Sequence, residues 1–216
     1  HECVNEIIVD RLLTLLEVEH LEYELIHADI EIEGKRYNLY LCASEDFKKR
    51  GESKIALDDY YRTNAKKAES HYDFCVRCGW KEYIDQMIAI DYLILNRDRH
   101  GANIEILRNA RAHTLRIAPL FDHGLSLLYS CTSDAAAMKF DIMDDKRCQN
   151  FIGSYSCYEN LNFIKECGDV FKGKLKESDR SIIFGGLETI LSEVFIDKIW
   201  NMIYERYKVY ENLSNN

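Results

Sequence analysis

"LNRDRHGAN" (95–103) decides how this chain is read. It places Asn96, Arg97, Asp98, Arg99, His100 and Asn103 directly after "GWKEYIDQMIAIDYLIL" (79–95), a stretch with apolar residues at helical spacing. Trp80, Ile84, Met87, Ile88 and Ile94 recur at intervals of three, four and seven, and Tyr83, Ile90 and Leu95 widen the stripe. The spacing predicts a helix buried on more than one side, ending in a dense polar loop. Reactive groups are commonly carried on loops held by rigid elements. Asp98 is of a type that can orient or accept the proton of an attacking hydroxyl. Asn103, five residues on, offers a hard amide oxygen to a divalent cation.

Working outward, "NIEIL" (103–107) and "TLRIAPLF" (114–121) read as short strands joined by the polar segment 108–113. If they pair as a hairpin, their outer ends lie together. Asn103 then meets Asp122 of "APLFDHGLS" (118–126), with Asp98 just upstream. A base, a metal-binding amide, a short hairpin and a metal-binding carboxylate are the layout of kinase-type phosphoryl transfer. Asp122 precedes a turn-forming pair, and its alternative reading is a turn residue. His123 is read as a helper or exposed group, not as a further metal ligand.

The flanks supply the rest of the fold. Residues 2–18 carry Val4, Ile7, Ile8, Leu12, Leu15 and Leu16 on one helical face. Residues 21–43 read as a β-hairpin turning at Glu33-Gly34-Lys35. "SEDFKKRGES" (44–53) is an aperiodic connection, and 55–73 should include a short helix. Helices are expected at 144–152, 157–167, 178–191 and 193–211. The expected class is α+β: a small part at 1–43, helix plus hairpin, before a mainly helical part at 44–216.

Bulk properties exclude several classes. The formal charge of −9 and the short, acid-flanked basic clusters at 46–51 and 64–68 argue against direct nucleic-acid binding. The most apolar run (87–95) is short and interrupted by Asp91, so no membrane span is expected. Eight cysteines without a visible signal peptide read as reduced thiols in a cytoplasmic protein. "CVRC" (75–78) alone is a weak metal signal, since Cys42, Cys131, Cys148 or His71 would have to complete the ligand set.

"NRDRHGAN" followed by "APLFDHG" resembles the catalytic and metal-binding segments of HipA-like serine/threonine kinases, and more distantly those of phosphatidylinositol kinases. Asp98, His100 and Asn103 match the D-x-H-x-x-N loop. Asp122 matches the metal-binding Asp, although His123 intervenes where a strict D-F-G would not have it. The resemblance implies a protein-kinase-like fold, with 1–43 as part of the small lobe and 44–216 as the large lobe. It also implies ATP and Mg2+ as cofactors. Asp98 would be catalytic and Asn103 and Asp122 would bind metal; His100 is either catalytic or a hydrogen bonder that stabilises the loop, the base role being already filled by Asp98, and Arg97 and Arg99 are either substrate or phosphate contacts or surface residues. Glu6 would stand where the ion-pairing Glu of the small lobe does. Leu41 and Ala43, in the strand leading to the hinge, would meet the nucleotide. The family's Gly-rich loop and phosphate-pairing Lys precede the first helix. The chain, which opens on His1, is therefore expected to be a C-terminal piece, or to work with a partner that supplies the small lobe. The implied partners are a protein substrate and an antitoxin, in a bacterial toxin–antitoxin setting. A lipid or small-molecule kinase and an inactive kinase-like interaction domain are the alternative readings.

Overall fold

The computed structural model describes residues 2–214; His1, Asn215 and Asn216 lie outside the described residues. Helix α1 (Glu2–Leu15) buries Val4, Ile7, Ile8 and Leu12 of the expected face together with Val9 and Leu13, while Leu15 is half-buried and Leu16 is buried just past the helix end. The chain then forms β1 (Glu24–Ile32) and β2 (Lys35–Ala43), paired antiparallel in the register Ile32↔Lys35 to Glu24↔Ala43. Glu33 and Gly34 make the turn with φ of 50° and 78°. Two successive positive φ values match the right-handed twist of the strands they join.

Strand β3 (Ser53–Ala56) leads into α2 (Leu57–Asn64), followed by α3 (His71–Arg77), capped by the Ser70 side chain. Helix α4 (Lys81–Leu93) is the central element, and even its polar residues Asp85, Gln86 and Asp91 are buried. Next come β4 (Asp98–Arg99), a 3-10 turn (Gly101–Asn103), β5 (Glu105–Asn109) and β6 (Thr114–Ile117). Strands β3, β5 and β6 form an antiparallel sheet with β5 in the middle. The second half holds α5 (Asp134–Lys139), β7 (Gln149–Asn150), α6 (Cys157–Phe163), α7 (Arg180–Phe184) and α8 (Glu193–Ser214). One apolar cluster runs from Val4 and Leu12 of α1 through Ile84 and Met87 of α4 to Ile199 and Tyr207 of α8.

Several expectations are corrected. Residues 144–152 form no helix; the segment is extended and β7 pairs in parallel with β4. The chain entering it is held by a buried arginine. Arg206 of α8 donates to Ile142 O (2.8 Å) and Asp144 O (2.9 Å), and also to Tyr92 O at the end of α4 (3.0 Å). The helix expected over 178–191 stops at Phe184, because Gly185 and Gly186 follow and Gly186 adopts φ 82°. The 157–167 helix breaks into α6 and a 3-10 turn ending at Gly168. The strand expected to reach residue 121 ends at Ile117. All eight cysteines are free thiols. Among the described residues no group of three or more His, Cys, Asp or Glu could hold a metal, so "CVRC" gains no partners. No described helix is long and apolar enough to cross a membrane.

Candidate active site

The polar loop begins at a strained helix end. Leu95, just past α4, adopts φ 51°, and Asn96 N donates back to Asp91 O at 2.9 Å. A leucine in the left-handed region costs roughly 1 kcal/mol, which the surrounding contacts must offset. Leu127 N donates to Ile94 O (2.7 Å) and pins this corner from the other side. Asn96 then bridges the loop to the helix: Nδ2 donates to Asp91 Oδ1 (2.9 Å), and Oδ1 accepts from Asp98 N (3.1 Å).

Arg99 joins the two candidate segments. Its side chain is buried, and Nε and Nη2 pair with the Asp91 carboxylate at 3.0–3.2 Å. Nη1 donates to Phe121 O (2.8 Å) and reaches Asn103 O (3.4 Å). One guanidinium therefore ties the loop at 96–103 to the residue preceding Asp122. The sequence reads Arg99 as a substrate or phosphate contact or as a surface residue. The structure corrects this, because a side chain sealed against Asp91 cannot reach a ligand. Asp91 itself went unassigned in the sequence. Its signal was an acid in the middle of an otherwise apolar stripe.

The hairpin geometry brings the remaining groups together. The β5–β6 register pairs Ile106 with Ile117, and Ala118 N still donates to Glu105 O (2.8 Å), so the outer ends run on side by side. Asn103 Nδ2 donates to Asp98 O (2.9 Å), which aims the amide nitrogen inward and leaves Oδ1 without a partner among the described residues. Asp122 adopts φ 59°, a region Asp tolerates better than most residues. Its carboxyl is raised above the usual range, first by desolvation and then by the Glu6 carboxylate, while Arg99 pulls it down. Asp98 keeps a half-open side chain, with His100 Nε2 3.6 Å from its Oδ1.

Glu6 reaches this site from α1. Its Oε1 accepts from His123 N (2.7 Å), whereas Oε2 is buried with no hydrogen-bond partner, 3.4 Å from His123 Nδ1. Burial pushes the Glu6 carboxyl up to about 7. His123 is corrected from helper or exposed group to buried core, and burial, then the Arg99 cation, push its imidazole down to about 3. It stays neutral at physiological pH and fills the position as an aromatic side chain would. Asn5 Nδ2 closes the same turn on Gly124 O (2.9 Å) and Ser126 O (3.0 Å). A Cβ on Gly124 would come within 3.2 Å of Glu2 Cβ, so the turn approaches α1 closely.

The strand residues Leu41 and Ala43 lie on the hairpin, whose strand β2 packs against α1, the helix that carries Glu6. The register places them on one face with Ile26, Leu39 and Tyr37, and of these Leu41, Ile26, Leu39 and Tyr37 are exposed. Arg97, unlike Arg99, lines an open cleft of about 770 Å³ beside Asp98 and His100.

No protein-family model matches this chain, and no curated protein matches it in sequence. Solved structures do match in fold. The Helicobacter pylori proinflammatory kinase CtkA superposes over 99% of this chain and 87% of its own, with a TM-score of 0.67 at 16% identity. A Shewanella oneidensis MR-1 complex of the toxin–antitoxin proteins HipA and HipB with operator DNA covers 98% of this chain and 54% of its own, with a TM-score of 0.46 at 14% identity. The second likeness is too slight to argue from. The first, over nearly the whole length, shows that this chain has a kinase-like α+β fold.

Proposed function

We propose that the chain is the catalytic part of an ATP- and magnesium-dependent kinase that transfers a phosphoryl group to a serine or threonine hydroxyl of a protein. The observation that carries this reading is the Arg99 clamp. It fixes Asn103 and the segment entering Asp122 to one buried carboxylate, beside an accessible Asp98. Divalent magnesium favours few carboxylates plus phosphate oxygens and water, which suits one amide oxygen and one carboxylate. The free Asn103 Oδ1 and the Asp122 carboxyl fit that donor set. Magnesium, when bound, would neutralise charge developing on the phosphate oxygens.

The chain's own groups would act as follows. Asp98 orients the acceptor hydroxyl and takes its proton as the bond to phosphorus forms. His100, 3.6 Å away, steadies that carboxylate. Asn103 holds the Asp98 backbone through Nδ2, so metal and base keep a fixed spacing. The buried, unpartnered Glu6 Oε2 would receive a lysine ammonium of the kind that pairs with ATP phosphates. Leu41 and Ala43 would offer the adenine ring the apolar face of the hairpin. The small-lobe assignment of 1–43 and the large-lobe assignment of 44–216 belong to the same reading.

Radiolabelled ATP offered with protein and with lipid acceptors tests it. Asp98→Ala in the full-length protein should reduce transfer at least 100-fold and leave circular dichroism and Tm unchanged. Unchanged transfer would remove Asp98 from its role. Labelling of lipid but not protein would change the substrate class.

A further inference from the structure

We propose that the cleft beside Asp98 binds an acidic stretch of its protein acceptor, through Arg97 and Arg147. The binding claim rests on the cleft alone; that the bound segment is phosphorylated rests on the kinase reading above.

Strand β7 builds this cleft. Gln149 pairs with Asp98, and Gln149 N donates to Arg97 O at 2.8 Å, which brings Arg147 to the same side of the loop. Arg147 in turn is bridged to Ser156, and Cys148 N donates to Tyr155 O (3.0 Å). Both arginines line the cleft with Asp98, and each guanidinium sits over the ring of a tyrosine. Arg97 is 4.6 Å from the centre of the Tyr129 ring, and Arg147 is 4.6 Å from that of Tyr155.

Sitting over a ring restrains a guanidinium but uses none of its five N–H donors. Elsewhere Arg62, Arg77, Arg99, Arg116 and Arg180 are paired with carboxylates. Among the described residues Arg97 and Arg147 have no such partner; Arg11, Arg50, Arg108, Arg111 and Arg206 have none either, but of these seven only Arg97 and Arg147 line the cleft with Asp98. Two pre-oriented forks left unpaired in an acidic protein are suited to a planar carboxylate, which takes two parallel N–H bonds from each.

The cleft's own acids do not fill them. Asp58 is engaged by Arg62 (3.4 Å), and Asp98 faces His100. Their presence matters for the choice of ligand. A dianionic phosphate would be opposed by both carboxylates, whereas singly charged Asp or Glu side chains are opposed less. The rings of His71 and Phe151, tilted at 47° with centroids 4.4 Å apart, also line the cleft. Gly101 forms the floor there, where a Cβ would meet Asp58 Cβ at 2.6 Å and Phe151 Cδ2 at 2.8 Å.

The test uses fluorescent peptides with a central Ser flanked by Glu, Gln, Lys or phosphoserine. Anisotropy is read on the full-length protein without nucleotide, at low and moderate salt. The Glu peptide should bind at least tenfold tighter than the Gln peptide, weaken with salt, and outbind the Lys and phosphoserine peptides. The exposed Arg147→Glu variant should lose that preference and favour Lys, and Arg97→Gln should reduce it. Equal binding of Gln and Glu peptides, an Arg147→Glu variant that keeps the preference, or tighter binding of phosphoserine would overturn the proposal. Adding ATP and magnesium separates the two claims. Selective binding without transfer upholds the cleft and sinks the kinase reading; transfer without acidic preference does the opposite.

Discussion

Glu6 is the side chain whose chemistry departs most from its surroundings. It is a carboxyl from α1 placed under the Asp122 turn, with one oxygen satisfied by His123 N and the other buried and free. Its ordinary value of 4.5 rises to about 7 because burial penalises the charged form. Below pH 4.5 the group is protonated whether folded or unfolded. Between 4.5 and 7 the unfolded chain releases the proton while the folded chain keeps it, so stability falls as pH rises through that window. Glu6→Gln removes this cost. We expect the variant to be more stable than wild type by roughly 1–3 kcal/mol at pH 8, with the gain vanishing near pH 4.5. Thermal unfolding would show it as about 2–4 °C per kcal/mol. A gain that is the same at both pH values would mean that Glu6 does not titrate in this way. A cation delivered to Oε2 would reverse the sign, so the same comparison made with the complete assembly reports whether a lysine has arrived.

At the scale of elements, the clamp between α4, the catalytic-type loop and the hairpin end depends on a buried ion pair. Arg99→Met leaves the Asp91 carboxylate buried without its partner, which should cost about 3–5 kcal/mol in urea unfolding. Arg99→Met combined with Asp91→Leu should recover most of that loss, because an apolar pair of similar volume needs no charge satisfied. A single variant as stable as wild type would contradict the clamp. These long-range ties are also where the sequence was least legible. Helix α4, the β1–β2 hairpin and its turn at Glu33-Gly34 follow from local periodicity and turn chemistry, and the structure has them near the expected bounds. The β5–β6 pairing likewise needs only neighbouring strands. By contrast, β3 pairs with β5 across 50 residues. The 144–152 segment was read as a helix, but β7 pairs with β4 about 50 residues upstream, and Arg206, about 60 residues downstream, holds the chain where it enters at Ile142 and Asp144. Nothing local encodes either fact. Arg99 was misread for the same reason: beside Asp98 an arginine looks like a ligand contact, and only the fold reveals that Asp91 claims it.

Across the whole molecule, one apolar cluster joins α1, α4 and α8, and the candidate groups gather where the loops around α4 meet α1. The chemistry divides around the polar loop. On one side Arg99 ties Asn103 to the segment entering Asp122, and Glu6 of α1 lies under the Asp122 turn. On the other, Arg97 and Arg147 line the cleft to which Asp98 also belongs. Asp98 and Asn103 were legible because both stand in one nine-residue stretch; Arg147 was not, because β7 brings it there from about 50 residues away. The central claim is that Asn103 and Asp122 together bind nucleotide through magnesium. Calorimetric titration of the full-length protein with ATP, in magnesium and in EDTA, tests it most directly. Binding should require magnesium, and Asp122→Asn and Asn103→Ala should each weaken it at least tenfold with Tm unchanged. Binding that is equal in EDTA, or that survives both substitutions, or that is absent with magnesium present, would contradict it.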